Sequence, residues 1–275
     1  MHAFIRRSLA APLLLALLTV ALGACGPSDA PDAKDDASAL ATAAFDSAIA
    51  RWDAAFDVAH GARADLVDDG LDQAIVVVRS IVRQTGTMKK QLEEAGDPPL
   101  EPDARSARAR RQVETMYAHN LDRLNELRAR RAEAVQADRV LEQAWEALAA
   151  AADGLDPDTP LPPAEGDVDA LASEANKRAT ELHSTQQKRV VWRADLALME
   201  ELKERPNSGL EASWVESQIE EGQEKLRTFD EREIKQRGAL EEARAAYARA
   251  VRAERVRSAI DGAARRRGKA DTEAQ

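Results

Sequence analysis

Cysteine is almost absent from this 275-residue sequence, since Cys25 is the only one. A single thiol cannot form a disulfide within the chain, and by itself it cannot build a zinc or iron–sulfur site. Aromatic residues are also scarce, at 4% of the chain, and much of the 44% hydrophobic content is alanine. Alanine favours helices but buries little apolar surface. The composition therefore predicts an elongated helical body with thin cores rather than a globule with a deep pocket.

The segment that precedes the cysteine has the parts of a secretory leader. Arg6 and Arg7 give a short positive region, and residues 9–24 form an almost wholly apolar run of signal-peptide length. The run closes with the letters LGAC at 22–25. This ending resembles the lipobox of bacterial lipoproteins, in which a branched apolar residue and two small residues precede the cysteine.

That resemblance implies cleavage between Ala24 and Cys25, alkylation of the Cys25 thiol with diacylglycerol and acylation of the new amine. Two or three acyl chains would hold the protein stably at a membrane, since each buried CH₂ contributes about 0.8 kcal/mol. Gly26 stands where this class places an aspartate for inner-membrane retention in bacteria with two membranes. The resemblance thus implies an outer-membrane anchor with the body in the periplasm. An ordinary secretory leader cut after Ala24 and an uncleaved anchor stay open as alternatives.

The charge balance of the chain is acidic, with 49 Asp and Glu against 39 Lys and Arg and a formal net charge of -10. Loss of residues 1–24 would remove two arginines and make the body more acidic still. An anionic body is a poor general partner for nucleic acid or anionic lipid. We therefore expect no nucleic-acid partner, and we expect the lipidated cysteine to provide the membrane contact.

The chain after the cysteine divides into a tether, a helical body and a tail. Residues 25–38 are polar and acidic and contain prolines, which predicts a flexible tether. The sequence of residues 39–266 predicts four to five long helices, and that of residues 267–275 predicts a polar tail. Apolar residues recur at helical spacing. The first such stripe is Phe45, Ile49, Trp52 and Phe56.

Breaks between the helices are visible where proline and glycine concentrate. They fall near 96–102, 155–167 and 205–209. Asp167 is a predicted N-cap, and Ser208 with Glu211 has the spacing of a capping box. Apolar stripes must be buried against one another, and short connections imply antiparallel neighbours. The predicted fold class is therefore all-α, an elongated antiparallel helical bundle that is coiled-coil-like in places.

Motifs that would name a reaction are missing from the sequence. It contains no GxSxG, Walker A or GxGxxG pattern. Asp57 and His60 have the only carboxylate–histidine spacing of a helical metal motif, and a di-metal site takes two such motifs. The acidic run at 65–72 fails as a calcium loop, since Val67 and Val76 would fall at ligand positions. We therefore predict no catalytic residue, no cofactor and no metal site.

Two basic clusters stand out in the acidic chain. They begin the second long helix and end the last one: Arg105, Arg108, Arg110 and Arg111, then Arg265, Arg266, Arg267 and Lys269. Solvated helix ends explain both clusters, and the second suits a helix C-terminus. The second cluster is also a candidate patch for an anionic cell-wall polymer, lipid headgroups or an acidic partner. Tryptophans stand at 52, 145, 192 and 214, and we expect them in the core, with a binding surface as the alternative.

Three classes of function are compatible with this sequence. The first and favoured one is a lipid-anchored envelope protein whose body is a structural or protein-interaction module, through an envelope protein partner or self-association. The second is a lipoprotein that binds a small ligand or ion between helices, which a concave site lined by tryptophans would support. The third is an envelope enzyme, whose sign would be carboxylates converging on His60, His119 or His183.

Overall fold

The computed structural model describes residues 33–95, 104–204 and 211–273 of the chain. These ranges contain five helices and no strand. The helices are α1 (Ala33–Ala62), α2 (Gly70–Glu94), α3 (Ala104–Ala152), α4 (Val168–Glu204) and α5 (Ala212–Glu273). The predicted all-α class is thereby confirmed. Cys25, with its predicted leader, and Ser208 of the predicted capping box lie outside the described residues.

The helices pack antiparallel against their neighbours around α3. The C-terminal half of α3 packs on α1 and its N-terminal half packs on α2, while α4 and α5 form a long antiparallel pair beside it. The helices α1 and α2 therefore follow one another along the bundle, as the two parts of one broken helix. With 62 residues, α5 is about 90 Å long at 1.5 Å per residue, so the bundle is elongated.

The ends of the helices follow local sequence signals. The Asp167 carboxylate accepts hydrogen bonds from the backbone N–H groups of Asp169 and Ala170 at 3.0 and 3.1 Å, which confirms the predicted N-cap of α4. Helix α1 begins at Ala33, within the predicted tether, because neither proline nor glycine interrupts the sequence from there to His60. Helix α5 likewise continues into the predicted polar tail.

Apolar clusters fill the bundle along its length. The largest combines α1 with α3, α4 and α5 and includes Phe45, Trp52, Leu148, Tyr247 and Ile260. The second combines α2 with α3 and α4 and includes Leu71, Ile75, Leu127 and Leu182. A small third cluster joins α4 to the start of α5, where Ile219 packs against Leu198, Met199 and Leu202. No helix of the described part is long and apolar enough to cross a membrane.

The first basic cluster joins helices, which corrects the expectation of a solvated helix end. Arg108 on α3 forms an ion pair with the buried Asp195 of α4, and Arg111 pairs with Glu201 at 3.3 Å. Arg110 donates to the carbonyl of Leu92 on α2. These arginines reach across to neighbouring helices because α2 and α4 end beside the start of α3.

The four tryptophans occupy different environments. Trp52 is fully buried in the largest apolar cluster, and Trp145 packs against that cluster from α3. Trp192 is half-buried beneath the Arg108 guanidinium, whose carbon lies 6.0 Å from the ring centroid. Trp214, at the start of α5, is exposed. The expectation of a core role is thus confirmed for Trp52 and wrong for Trp214.

Candidate functional site

A break between α1 and α2, residues 63–69, shapes the middle of the bundle. Ala64 and Asp68 have positive φ angles of 55° and 49°, so the chain turns sharply there. Asn176 of α4 holds the break, since its side-chain amide accepts from Val67 N–H at 2.9 Å and donates to the Val67 carbonyl at 3.0 Å. Gly70 leaves room for this amide, because a Cβ at position 70 would collide with it. The break is therefore a fixed part of the fold.

Arg63 ties the same break to α3. Its guanidinium donates to both carboxylate oxygens of Asp138, at 2.8 and 2.9 Å, and to the carbonyl of Ala59 at 2.9 Å. It also donates to the carbonyl of Asp68 at 3.4 Å. Both bonds to Asp138 come from one guanidinium nitrogen, Nη2, and the Asp138 side chain is 43% exposed, so water also reaches this ion pair. Arg63 and Asp138 thus neutralise each other at the edge of the cavity described next.

A cavity of about 320 Å³ opens between α1, α3 and α5 beside this break, and we call it the aromatic pocket. Five ring side chains line it: Trp52, Phe56, His60, Trp145 and Tyr247. Leu141 and Val251 add aliphatic surface. The composition predicted thin cores without a deep pocket, and this cavity is half open to solvent rather than enclosed. It arises because α1 ends here and the bulky rings hold the helices apart.

Four of the rings form a ladder along one wall of the aromatic pocket. The centroid separations are 5.3 Å from Trp52 to Phe56, 5.5 Å from Phe56 to His60 and 6.0 Å from His60 to Tyr247. The planes lie within 23° of parallel. Three of these rings share a face of α1 because they are four residues apart, and Tyr247 joins them from α5. The ladder therefore forms an apolar wall in which the rings cover one another, since Trp52, Phe56 and Tyr247 are each buried.

The interior of the aromatic pocket is uncharged at neutral pH. Burial, helped by the nearby guanidinium groups of Arg244 and Arg63, lowers the pKa of His60 to about 4. Burial also raises the pKa of Tyr247 to about 12. Both side chains are consequently neutral over the physiological range.

The mouth of the aromatic pocket carries side chains of both signs. The Arg255 guanidinium lies over the Trp145 ring, 5.3 Å from its centroid. Glu142 and Asp68 contribute exposed carboxylates to the same lining. Within the described ranges, none of these three charged side chains forms an ion pair. They are therefore open to groups on a bound molecule.

His60 shares the pocket with three carboxylates, which is the sign that would favour an enzyme. In the part of the chain that the structure describes, however, no hydrogen bond joins the His60 ring to a carboxylate, and Asp138 is held by Arg63. A histidine with a pKa of about 4 is also a weak general base near pH 7.

Metal-binding side chains do not converge in the described residues, where no group of three or more candidate ligands occurs. The carboxylate of Asp57, which the sequence pairs with His60, forms an ion pair with Arg252 at 2.6 Å instead. His119 and His183 stack between α3 and α4, with ring centroids 5.7 Å apart. Burial lowers the pKa of both rings, and for His183 the value is about 4.

The basic end of α5 is partly engaged within the fold. Arg266 pairs with Asp153 at 2.7 Å, and Arg267 donates to the carbonyl of Leu155, so both tie α5 to the end of α3. Arg265 and Lys269 are exposed. Part of the predicted patch is therefore used in contacts between segments of the chain, through Arg266 and Arg267.

No known protein family, no curated protein and no solved structure matches this chain. The function is therefore argued from the residues of the site.

The half-buried, neutral His60 predicts a pH dependence of stability. Its pKa in the folded protein is about 4, below the ordinary value of 6.5, so the unfolded chain binds the extra proton as the pH falls between these values. The stability contribution is complete above pH 6.5 and is lost towards pH 4. We expect the unfolding free energy of His60→Phe, measured in urea, to depend less on pH across this window than that of the wild type. Equal slopes would contradict the prediction.

Proposed function

We propose that this chain is a lipid-anchored protein of the cell envelope whose helical body binds a small molecule in the aromatic pocket. The observation that carries the binding proposal is the lining, in which Trp52 and Trp145 from different helices border one cavity with His60 and Tyr247. A concave site lined by tryptophans is what distinguishes a binding lipoprotein from a purely structural one. Small-molecule pockets span about 300–1,000 Å³, and this one falls at the lower end.

The walls of the aromatic pocket are held in place by polar contacts between helices. Arg252 of α5 bonds to Asp53 and Asp57 of α1, at 3.0 and 2.6 Å. Arg244 of α5 donates to the carbonyl of His60 at 3.3 Å. Together with Arg63, these contacts fix α1 against α3 and α5. A pocket that is already formed loses less entropy when a ligand enters, which supports a binding role.

The envelope location is supported by the sequence of the first 26 residues. The positive region, the apolar run, the LGAC ending and Gly26 agree with a lipoprotein leader. Lipid on Cys25 would place the bundle at a membrane surface, outer-membrane and periplasmic by the same resemblance. Mass spectrometry of the purified N-terminus tests this part, because an unmodified Cys25 would contradict it.

A structural or protein-interaction module is the second candidate function. The observation that favours it is apolar exposure on the outer faces of the bundle, at Leu40, Val58, Val76 and Ile234. Single exposed aliphatic residues are common in soluble domains, so this observation supports an interaction role less strongly than the pocket supports a binding role. Photo-crosslinking in intact cells, from positions on α5 and in the 156–167 loop, tests it. One dominant protein adduct would indicate a partner, and adducts to itself would indicate self-association.

Intrinsic fluorescence tests the binding proposal directly. Full-length protein in lipid nanodiscs is titrated with a panel of amino acids, nucleobases, sugars, polyamines and short fatty acids. We expect at least one compound to change the tryptophan emission, and we expect Trp145→Phe to remove most of that change. Trp214→Phe is the matched control and should retain the response, because Trp214 lies at the start of α5, away from the pocket. No response to any compound would count against the proposal.

A further inference from the structure

We infer that the aromatic pocket takes a small zwitterion with an aromatic ring, of the class of the aromatic α-amino acids. This inference rests on the proposed binding function and names its ligand class. It follows from one juxtaposition, a ring-lined interior beneath a mouth that carries one guanidinium and two carboxylates in addition to the paired Arg63 and Asp138.

The interior of the pocket selects for an uncharged, flat group. Its lining combines the ring ladder with the partly exposed Trp145 ring and the aliphatic side chains of Leu141 and Val251. An aromatic group stacks well on such surfaces in an offset or edge-on arrangement. A charged group would lose its hydration there without gaining a charged partner, so it is excluded from the interior.

The mouth of the pocket places opposite charges around one ring. Glu142 and Trp145 are three residues apart on α3, so they share a face of that helix. Arg255 of α5 lies over the same Trp145 ring. The guanidinium and the carboxylate therefore both stand beside the entrance, with Asp68 of the break nearby. A ligand carboxylate matches Arg255, and a ligand ammonium matches Glu142 or Asp68.

Ligands with a single charge fit this mouth less well. An anion without an ammonium would face the carboxylates of Glu142 and Asp68, and a cation without a carboxylate would face Arg255. In addition, arginine side chains of the protein already make cation–π contacts with two of the rings, where a ligand cation would otherwise bind. Arg252 lies 5.4 Å from the centroid of Phe56, in addition to Arg255 over Trp145. A zwitterion satisfies both signs at once.

Calorimetric titration of the full-length protein in nanodiscs separates these ligand classes. The probes are L-phenylalanine, phenethylamine, which lacks the carboxylate, 3-phenylpropionate, which lacks the ammonium, and L-alanine, which lacks the ring. We expect L-phenylalanine to bind, and each of the other three to bind at least tenfold more weakly. If either singly charged analogue binds as tightly as L-phenylalanine, the inference that the ligand is a zwitterion is overturned.

Two substitutions at the mouth assign the charges to their partners. Arg255→Gln should lower the affinity for L-phenylalanine at least tenfold and leave the weak binding of phenethylamine unchanged. Glu142→Gln should lower the affinity for L-phenylalanine, and the affinity for 3-phenylpropionate should stay the same or rise. The control Arg232→Gln removes an exposed arginine of the same helix α5, outside the pocket lining, and should bind L-phenylalanine as the wild type does.

The outcomes separate the ligand class from the binding function. One outcome is that no aromatic probe binds, while another compound of the fluorescence panel gives a response that needs Trp145. In that case the inferred ligand class is wrong and the pocket remains a binding site. If no compound of the panel binds at all, both proposals fail. If L-phenylalanine binds and neither mouth substitution changes its affinity, the assigned role of the mouth is overturned.

Discussion

Replacing Arg108 with alanine is expected to lower the free energy of unfolding by about 3 kcal/mol. Asp195, its partner on α4, is only 3% exposed, and its two carboxylate oxygens accept hydrogen bonds from Arg108 Nε at 2.6 and 2.7 Å. Removal of the arginine leaves a buried carboxylate without its cation, which costs about 3–5 kcal/mol in proteins. The lower end applies because the Arg108 side chain is 28% exposed, so water can reach the gap.

A neighbouring arginine provides the control for this effect. Arg111 pairs with Glu201 across the same two helices, but both side chains are more than two-fifths exposed, so Arg111→Ala should cost at most about 1 kcal/mol. The double change Arg108→Met with Asp195→Leu removes both charges and should recover most of the loss. Urea unfolding followed by circular dichroism measures all three. Losses of equal size in Arg108→Ala and Arg111→Ala would contradict the argument.

Replacing Trp52 with alanine is expected to destabilise the fold by about 3–5 kcal/mol, the range for an aromatic residue truncated to alanine in a core. Trp52 is 1% exposed and stacks on Phe56 at 5.3 Å. Its indole N–H is buried and has no acceptor within the described residues, so the loss comes from packing rather than from a hydrogen bond. The same change also removes part of the ring ladder of the aromatic pocket.

Two further tryptophan variants separate packing from a general effect of losing an indole. Trp214→Ala removes a side chain that is 39% exposed and should cost about 1 kcal/mol or less. Trp52→Phe keeps a ring in the ladder and should cost less than Trp52→Ala. Thermal and urea unfolding measure each change. A Trp52→Ala protein as stable as the wild type would mean that α1 contributes little to the bundle.

Local features of the sequence were sufficient to predict the helices. The spacing of Phe45, Ile49, Trp52 and Phe56 indicated one apolar helix face, and these side chains do pack in the largest cluster. Asp167 was recognisable as an N-cap because the cap contacts backbone groups two and three residues away. Such signals act within a turn or two of helix, so they can be read from neighbouring residues alone.

Contacts between distant segments could not be predicted in the same way. Arg63 and Asp138 are 75 residues apart, and Arg108 and Asp195 are 87 residues apart. Among 39 basic and 49 acidic residues, no local pattern selects these partners. The expectation that Arg108 belongs to a solvated helix end was wrong for this reason, since the ends of α2 and α4 meet the start of α3 only in the folded bundle.

The sequence by itself determined that the described part of the chain is helical, and it predicts the lipid anchor at Cys25. The break at 63–69 was not among the interruptions that it predicted. Only the tertiary structure decided that His60 meets Tyr247 and that Trp145 closes a cavity with them. Helical periodicity specifies which side chains share a face, but the rotation and register of one helix against another depend on contacts between distant segments. Here Asn176 of α4 contacts Val67 across 109 residues of sequence, and Arg63 contacts Asp138 of α3 across 75, so the surroundings of the aromatic pocket depend on such distant partners.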